Sequence, residues 1–285
     1  MIERYLRELS RELAVVGIRG RLRSRILAES EDHLRSDPQG AERFGSPSVV
    51  ANSFASELGA RAARRAAIGA FVALGFAGAV YAVSFVGASF AHQPPPDEWP
   101  LAAALAFAVV IFAPQVAFVT GSLAFARSLR RRERVLPTAE LRVINRRTGL
   151  ALSAGLATMA SLALIAFELR DLADGWWVAF TLVGSAAGAI LLVLAAVPTT
   201  GAARLRPRVA GEAGDVFDDL GRLGRYRRDP WRFARRVALG VGLAVWLAGI
   251  VQGDPIDGAI QGLAEALACL GGFAAFGRFL GLRRT

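Results

Sequence analysis

Beyond residue 65 the sequence alternates between long apolar runs and short polar connections. The runs cover roughly residues 66–92, 101–126, 149–169, 177–200, 234–251 and 258–280. A helix rises about 1.5 Å per residue, so about 20 mostly apolar residues cross the roughly 30 Å of bilayer hydrocarbon. Five of the runs reach that length, and the run at 234–251 falls slightly short at its inner end. The pattern predicts an all-α, polytopic membrane protein: six transmembrane helices in residues 66–285, and a small N-terminal cytoplasmic helical bundle in residues 1–65.

Residues 1–65 are charged throughout and lack the apolar stretch and small-residue cleavage site of a signal peptide. Ile2, Tyr5, Leu6, Leu9 and Leu13 recur at helical spacing opposite Glu3, Arg4, Arg7, Glu8, Arg11 and Glu12, which predicts a first amphipathic helix ending near Gly17. A second helix is expected over 21–35, with Leu22, Ile26, Leu27 and Leu34 as its apolar side. Asp37-Pro38 signals the start of a short third helix that Gly45 stops. Ser46-Pro47 repeats the signal for a fourth, whose stripe is Val49, Val50, Phe54 and Leu58. Nothing breaks that helix before the first apolar run.

Charge orients the chain. It has no lysine, and 33 of its 34 arginines fall at or next to the N-terminal region, the connections at 127–148 and 201–233, and the C-terminal end. The other connections, at 92–100, 170–176 and 252–258, are short and acidic or neutral, with Arg170 the one exception. Lys/Arg excess marks loops that stay inside, so both termini are expected in the cytoplasm of a multi-pass inner or plasma membrane protein. The net charge of +10 is then the footprint of topology and of attraction to anionic headgroups. No DNA-reading motif accompanies it, and no direct nucleic-acid contact is expected. The one cysteine, Cys269, lies inside the sixth run and forms neither an internal disulfide nor a Cys-based zinc site.

The stretches ERYLRELSREL, ILAESEDHL and AERFGSPSVVANSFASEL, within residues 3–58, resemble the small helical HAAS, or permease prefix, domain that precedes membrane segments in many bacterial proteins. The region from Asp215 to Arg284, with DDLG, DPWRF, GDPIDG, EALA and GRFLGLR, resembles the membrane part of actinobacterial members of that group. The resemblance implies a membrane-attached signalling or regulatory protein, often associated with a PadR-like transcriptional regulator, or else a prefix attached to a transporter permease. With the sixth run close to Thr285, a large extracellular domain of the FtsX-like kind is not expected.

Candidate chemistry is sparse. Glu29, Asp32 and His33, at i, i+3 and i+4, share one helix face. Three groups are too few for a closed metal site, so no metal or other cofactor is expected there, and the face is a candidate surface for a protein partner. Neither histidine stands at motif spacing from a nucleophile, and no phosphate loop, HExxH or Rossmann fingerprint occurs; an enzyme is not expected. In the sixth run Asp257, Gln261 and Glu265 form one stripe at i, i+4 and i+8, beside Gly258 and Gly262. A carboxylate at mid-bilayer costs about 2.5–3.5 kcal/mol on insertion scales, so Glu265 is expected against other helices or water, as a working site or as an interhelical hydrogen bond. Trp231, Arg235 and Arg236 are expected to anchor the approach to the fifth run at the interface. Pro114-Gln115 predicts a kink with freed carbonyls, and Gly184 with Gly188 a close helix contact or a homo-oligomer seam. Two functions stay open. One is a non-enzymatic signalling protein whose cytoplasmic domain contacts a protein partner; the alternative is a transporter- or channel-like subunit using the Glu265/Gln261 stripe.

Overall fold

The computed structural model describes residues 2–36, 45–88, 90–91, 99–130, 135–211, 213, 229–252 and 255–276. Every regular element among them is an α-helix: α1 (Ile2–Val15), α2 (Gly20–Ser36), α3 (Pro47–Ala88), α4 (Leu101–Arg130), α5 (Thr138–Glu168), α6 (Gly175–Arg204), α7 (Pro230–Gln252) and α8 (Pro255–Phe276). The chain divides into two compact units, Met1–Ala213 and Gly214–Thr285. The short helix expected behind Asp37-Pro38 lies outside the described residues.

α1 ends as its sequence dictates. Gly17 takes φ +90°, the Ile18 N–H donates to the Leu13 carbonyl and the Gly17 N–H to the Ala14 carbonyl, and Ile18 packs in the same cluster as Leu13. This is a Schellman cap, which needs a residue free of Cβ strain at the left-handed position. Leu9 and Leu13, both fully buried, join Val16, Ile18 and Ile26 against Ala51 and Ala55 of α3. The stripe expected on this part of α3 is displaced by about one position. Alanines make the closest contact, Val50, Phe54 and Leu58 are half-buried beside them, and Val49 is exposed. Small residues win here because they let α1 approach the α3 backbone. On α2, Leu22 is exposed while Ile26 and Leu34 are buried.

α3 is unbroken for 42 residues, about 63 Å at 1.5 Å per residue, from the α1 contact to the far end of the first apolar run. It packs against α4, α5 and α6, and α5 packs against α4 and α6. The core between them is lined by Ala70, Ala73 and Ala77 of α3, Leu152, Met159 and Leu162 of α5, and Leu192 of α6. Glycines set the spacing. Leu74 sits over Gly121 of α4 and Gly155 of α5, where an added Cβ would meet it at 2.7 and 2.8 Å. Gly184 of α6 meets Val80 of α3, and Gly188 meets Met159 of α5, so this pair seats neighbouring helices of the same chain. At the other end of α6, the Trp177 Nε1–H donates to the Ser84 carbonyl at 2.9 Å and Thr181 bonds the Ser84 hydroxyl at 3.2 Å.

Four helices, α3 to α6, are long and apolar enough to cross a membrane, which makes the chain a multi-pass membrane protein. Their outward faces carry Val72, Phe112, Phe118, Val183, Ile190 and Leu194, exposed as lipid-facing side chains are. The helices overrun the apolar sequence: α4 continues to Arg130 and α5 begins at Thr138, so most of the connection expected over 127–148 is helical. In the second unit α7 and α8, of 23 and 22 residues, pack as a hairpin. Gly258 lies against Gly249 and Gly262 against Gly242, close enough that a Cβ on either α8 glycine would collide with α7 backbone.

Candidate functional site

The densest polar chemistry in the first unit lies at the arginine-rich ends of α4, α5 and α6, beside the arginine-bearing middle of α3. Arg127 of α4 and Glu140 of α5 form a bidentate ion pair, Nε to Oε2 at 2.6 Å and Nη2 to Oε1 at 3.1 Å, with side chains 0% and 3% exposed. Arg147 is also buried, about two turns beyond Glu140 on α5. An apolar cluster of Ala60, Ala63, Ala67, Ala124, Leu136, Leu141 and Ile144 packs at the same helix ends. Taken from the sequence, Arg127 and Arg147 belong to the positive connection; in the fold they are among the largest fully buried side chains. The signal that marks this pair is Glu140, one of two carboxylates among the arginines of that connection.

Beyond α6, residues 205–209 run extended and tie three elements together. The Arg206 N–H donates to the Val16 carbonyl behind α1 at 3.0 Å. The Asn52 amide of α3 brackets Arg208, accepting from its N–H at 2.5 Å and donating to its carbonyl at 3.2 Å. Thr138, at the start of α5, donates its hydroxyl to the Pro207 carbonyl at 2.6 Å and its N–H to the Val209 carbonyl at 3.2 Å, while its hydroxyl oxygen accepts from the Val209 N–H at 3.1 Å. Gly17 completes the fit, since a Cβ there would stand 2.2 Å from the Arg204 carbonyl oxygen. The connection over 201–236 therefore begins as a strap on the N-terminal helices; residues 214–228 lie outside the described residues.

A second feature is a cavity of about 460 Å³ among α3, α4 and α5. Phe71, Tyr81, Pro114, Gln115, Gly155 and Met159 line it, with no ionisable side chain but the Tyr81 phenol. Pro114 lies inside α4, and the Gln115 side-chain amide donates to the Ile111 carbonyl at 3.0 Å, so the proline region does shape a cavity wall.

The other sequence candidates are dispersed. Glu29 pairs with Arg25 at 2.9 Å, the Asp32 carbonyl accepts from Ser36, and Glu29, Asp32 and His33 lie on the exposed side of α2. No group of three or more His, Cys, Asp and Glu suited to a metal occurs among the described residues. Asp257, Gln261 and Glu265 form the expected stripe on α8, exposed and one residue around from the glycines that meet α7. Trp231, Arg235 and Arg236 lie at the start of α7. Asp229 caps that helix through the Arg232 N–H at 3.1 Å, Trp231 stands edge-on to Phe273, and Arg235 reaches the Trp231 carbonyl. Cys269 is a free, half-buried thiol.

The sequence matches no protein-family description, no characterised protein and no solved structure.

Proposed function

We propose that this chain is a membrane signalling or regulatory protein of the HAAS, or permease prefix, kind. Its arginine-rich ends and both termini lie in the cytoplasm of the inner or plasma membrane. α7 and α8 add the fifth and sixth spans to the four of the first unit. α1, α2 and the first turns of α3 form the cytoplasmic domain, which presents α2 with Glu29, Asp32 and His33 to a protein partner such as a PadR-like regulator. The protein works without catalysis or cofactor.

The observation that carries this is the continuity of α3. One helix buries Ala51 and Ala55 against α1 and, further along, Ala70, Ala73 and Ala77 in the membrane core. A tilt or rotation of that helix in the bilayer is transmitted to the α1 contact, because a packed helix moves as a rigid element. The strap gives a second link, from α6 to Val16 and Asn52. The transporter alternative draws on the exposed Asp257/Gln261/Glu265 stripe. It draws no support from the mid-helix cavity, whose lining offers an ion no charged partner.

Two experiments test the proposal. In a Cys269→Ala background, Asp97→Cys and Asp254→Cys should label from outside the cell; labelling only from the cytoplasm overturns the topology. A photo-crosslinking residue at Asp32 of the full chain should capture a discrete partner in cells, and Glu29→Arg with Asp32→Arg should abolish the capture while leaving membrane abundance unchanged. Unchanged signalling after that charge reversal, with no crosslink from any position on α2, overturns the assignment of a partner to this face.

A further inference from the structure

A cavity of about 390 Å³ opens where the strap crosses the start of α5, and its lining includes Thr138, Arg142 and Asn145 of α5 with Leu205, Arg206 and Pro207 of the strap. The charge around it is uncompensated: Arg142 and Arg206 on its wall, and Arg204 and Arg208 beside it on the same chain segment, make no ion pair with any described carboxylate. The guanidinium of Arg142 has one long contact, from Nε to the Thr138 carbonyl at 3.4 Å. Asn145 lines the same cavity, and its buried side-chain oxygen has no hydrogen-bond partner. Two exposed guanidinium groups call for an anion, and guanidinium matches the oxygens of a phosphate in bidentate geometry. A buried orphan acceptor calls for a donor close to that anion.

The geometry points to a binding site for a phosphate anion that carries hydroxyl groups, and its depth assigns the source as the headgroup of an anionic membrane phospholipid of the glycerol type. Arg142 precedes the third apolar run by seven residues, about 10 Å along the helix, and Asn145 by four, about 6 Å. The headgroup layer adds roughly 5–8 Å to each side of the hydrocarbon. Asn145 therefore lies at headgroup depth, and Arg142 just outside it reaches inward with its long side chain. The phosphate sits between Arg142 and Arg206, and rotation of the Asn145 amide toward the cavity lets a headgroup hydroxyl donate to its Oδ1. Because Arg206 is in the strap that binds Val16, an occupied site holds the strap to α5 and thereby fastens the N-terminal helices. The depth and the strap's regulatory meaning rest on the membrane topology proposed above; lipid binding itself is measured without any signalling readout, so failure of the one is distinguishable from failure of the other.

The test is native mass spectrometry of the full-length protein in neutral detergent, titrated with phosphatidylglycerol, with phosphatidylcholine or phosphatidic acid of the same chains, or with inorganic phosphate. Phosphatidylglycerol should be retained in preference to phosphatidylcholine. Arg142→Gln with Arg206→Gln should weaken that retention about thirtyfold, at about 1 kcal/mol per arginine. Arg11→Gln with Arg21→Gln, which removes the same charge from exposed positions on the N-terminal helices, should leave it within twofold. Asn145→Leu should narrow the preference for phosphatidylglycerol over phosphatidic acid. Equal retention of phosphatidylglycerol and phosphatidylcholine, or retention that the Arg142/Arg206 change weakens no more than the control does, overturns the site. Binding of inorganic phosphate at the same two arginines with no preference for phosphatidylglycerol overturns the lipid source.

Discussion

Removing one partner of the Arg127–Glu140 pair should cost far more than removing both. At about 3 Å separation and an effective dielectric near 20, the Coulomb attraction is of order 5 kcal/mol, while withdrawing each ion from water costs several kcal/mol. The pair thus contributes little net stability, yet each member depends on the other, because both side chains are almost wholly buried. Glu140→Gln leaves a buried guanidinium short of its counter-charge, and Arg127→Met leaves a buried carboxylate; each should destabilise the first unit by about 3–5 kcal/mol. For a chain of this size that is a fall of roughly 10 °C in Tm. The double variant Arg127→Met/Glu140→Leu fills the same volume with apolar atoms and should regain most of the loss. Thermal aggregation followed by fluorescence-detected size exclusion measures all four proteins in one detergent, and the double-mutant cycle should give a coupling of at least 2 kcal/mol. Additive losses, or single changes costing less than about 1 kcal/mol, would refute the idea that the pair is desolvated and mutually dependent.

Other consequences are more local. Gly17→Ala places a Cβ against the Arg204 carbonyl in a left-handed backbone conformation, so it should cost about 1–3 kcal/mol from backbone strain alone and free α1, read as faster proteolysis of residues 1–36. Asn52→Ala and Thr138→Val each remove side-chain hydrogen bonds to the strap, about 1 kcal/mol apiece, and should speed tryptic cleavage after Arg208. Leu9→Asp buries a charge in the α1–α3 contact and should unfold the N-terminal helices without expelling the chain from the membrane. Burial shifts the Tyr5 phenol upward from its ordinary value of 10.0, and its hydroxyl donates to the Gly45 carbonyl. Its contribution is therefore fully present below pH 10 and is lost as pH rises through the shifted value. With no lysine in the chain, Tyr5→Phe should remove much of that alkaline loss in a pH-dependent proteolysis series.

Much of the helical framework could be read from periodicity, since α1, α2 and the continuity of α3 follow from apolar spacing and from Ser46-Pro47. Hydropathy placed the membrane-crossing part of α3 to α6 but missed where the helices end, because an apolar run records where lipid is and a helix continues into water as long as its backbone bonds are made. Val49 is exposed although its size suits a core, because at a close helix crossing the small Ala51 and Ala55 are the residues that fit. The strap left no periodic signal at all. Its bonds come from backbone groups meeting Asn52 and Thr138 across 156 and 71 residues of sequence, a relation that only the folded chain contains.

The arginines carry two distinct kinds of information, and the composition merges them. Most of those described lie exposed, the arrangement by which arginine excess would set orientation in the topology proposed above. Arg127 is withdrawn from that role and locks α4 to α5 through Glu140, while Arg206 sits on the strap that reaches the N-terminal helices. A substitution that removes charge at an exposed position such as Arg142 should change affinity for lipid with little change in Tm, whereas the same change at Arg127 should lower Tm before it touches lipid binding. Measuring both quantities for Arg127→Gln and Arg142→Gln separates the two roles. If Arg127→Gln weakens lipid retention at unchanged Tm, its burial against Glu140 is not what the residue contributes.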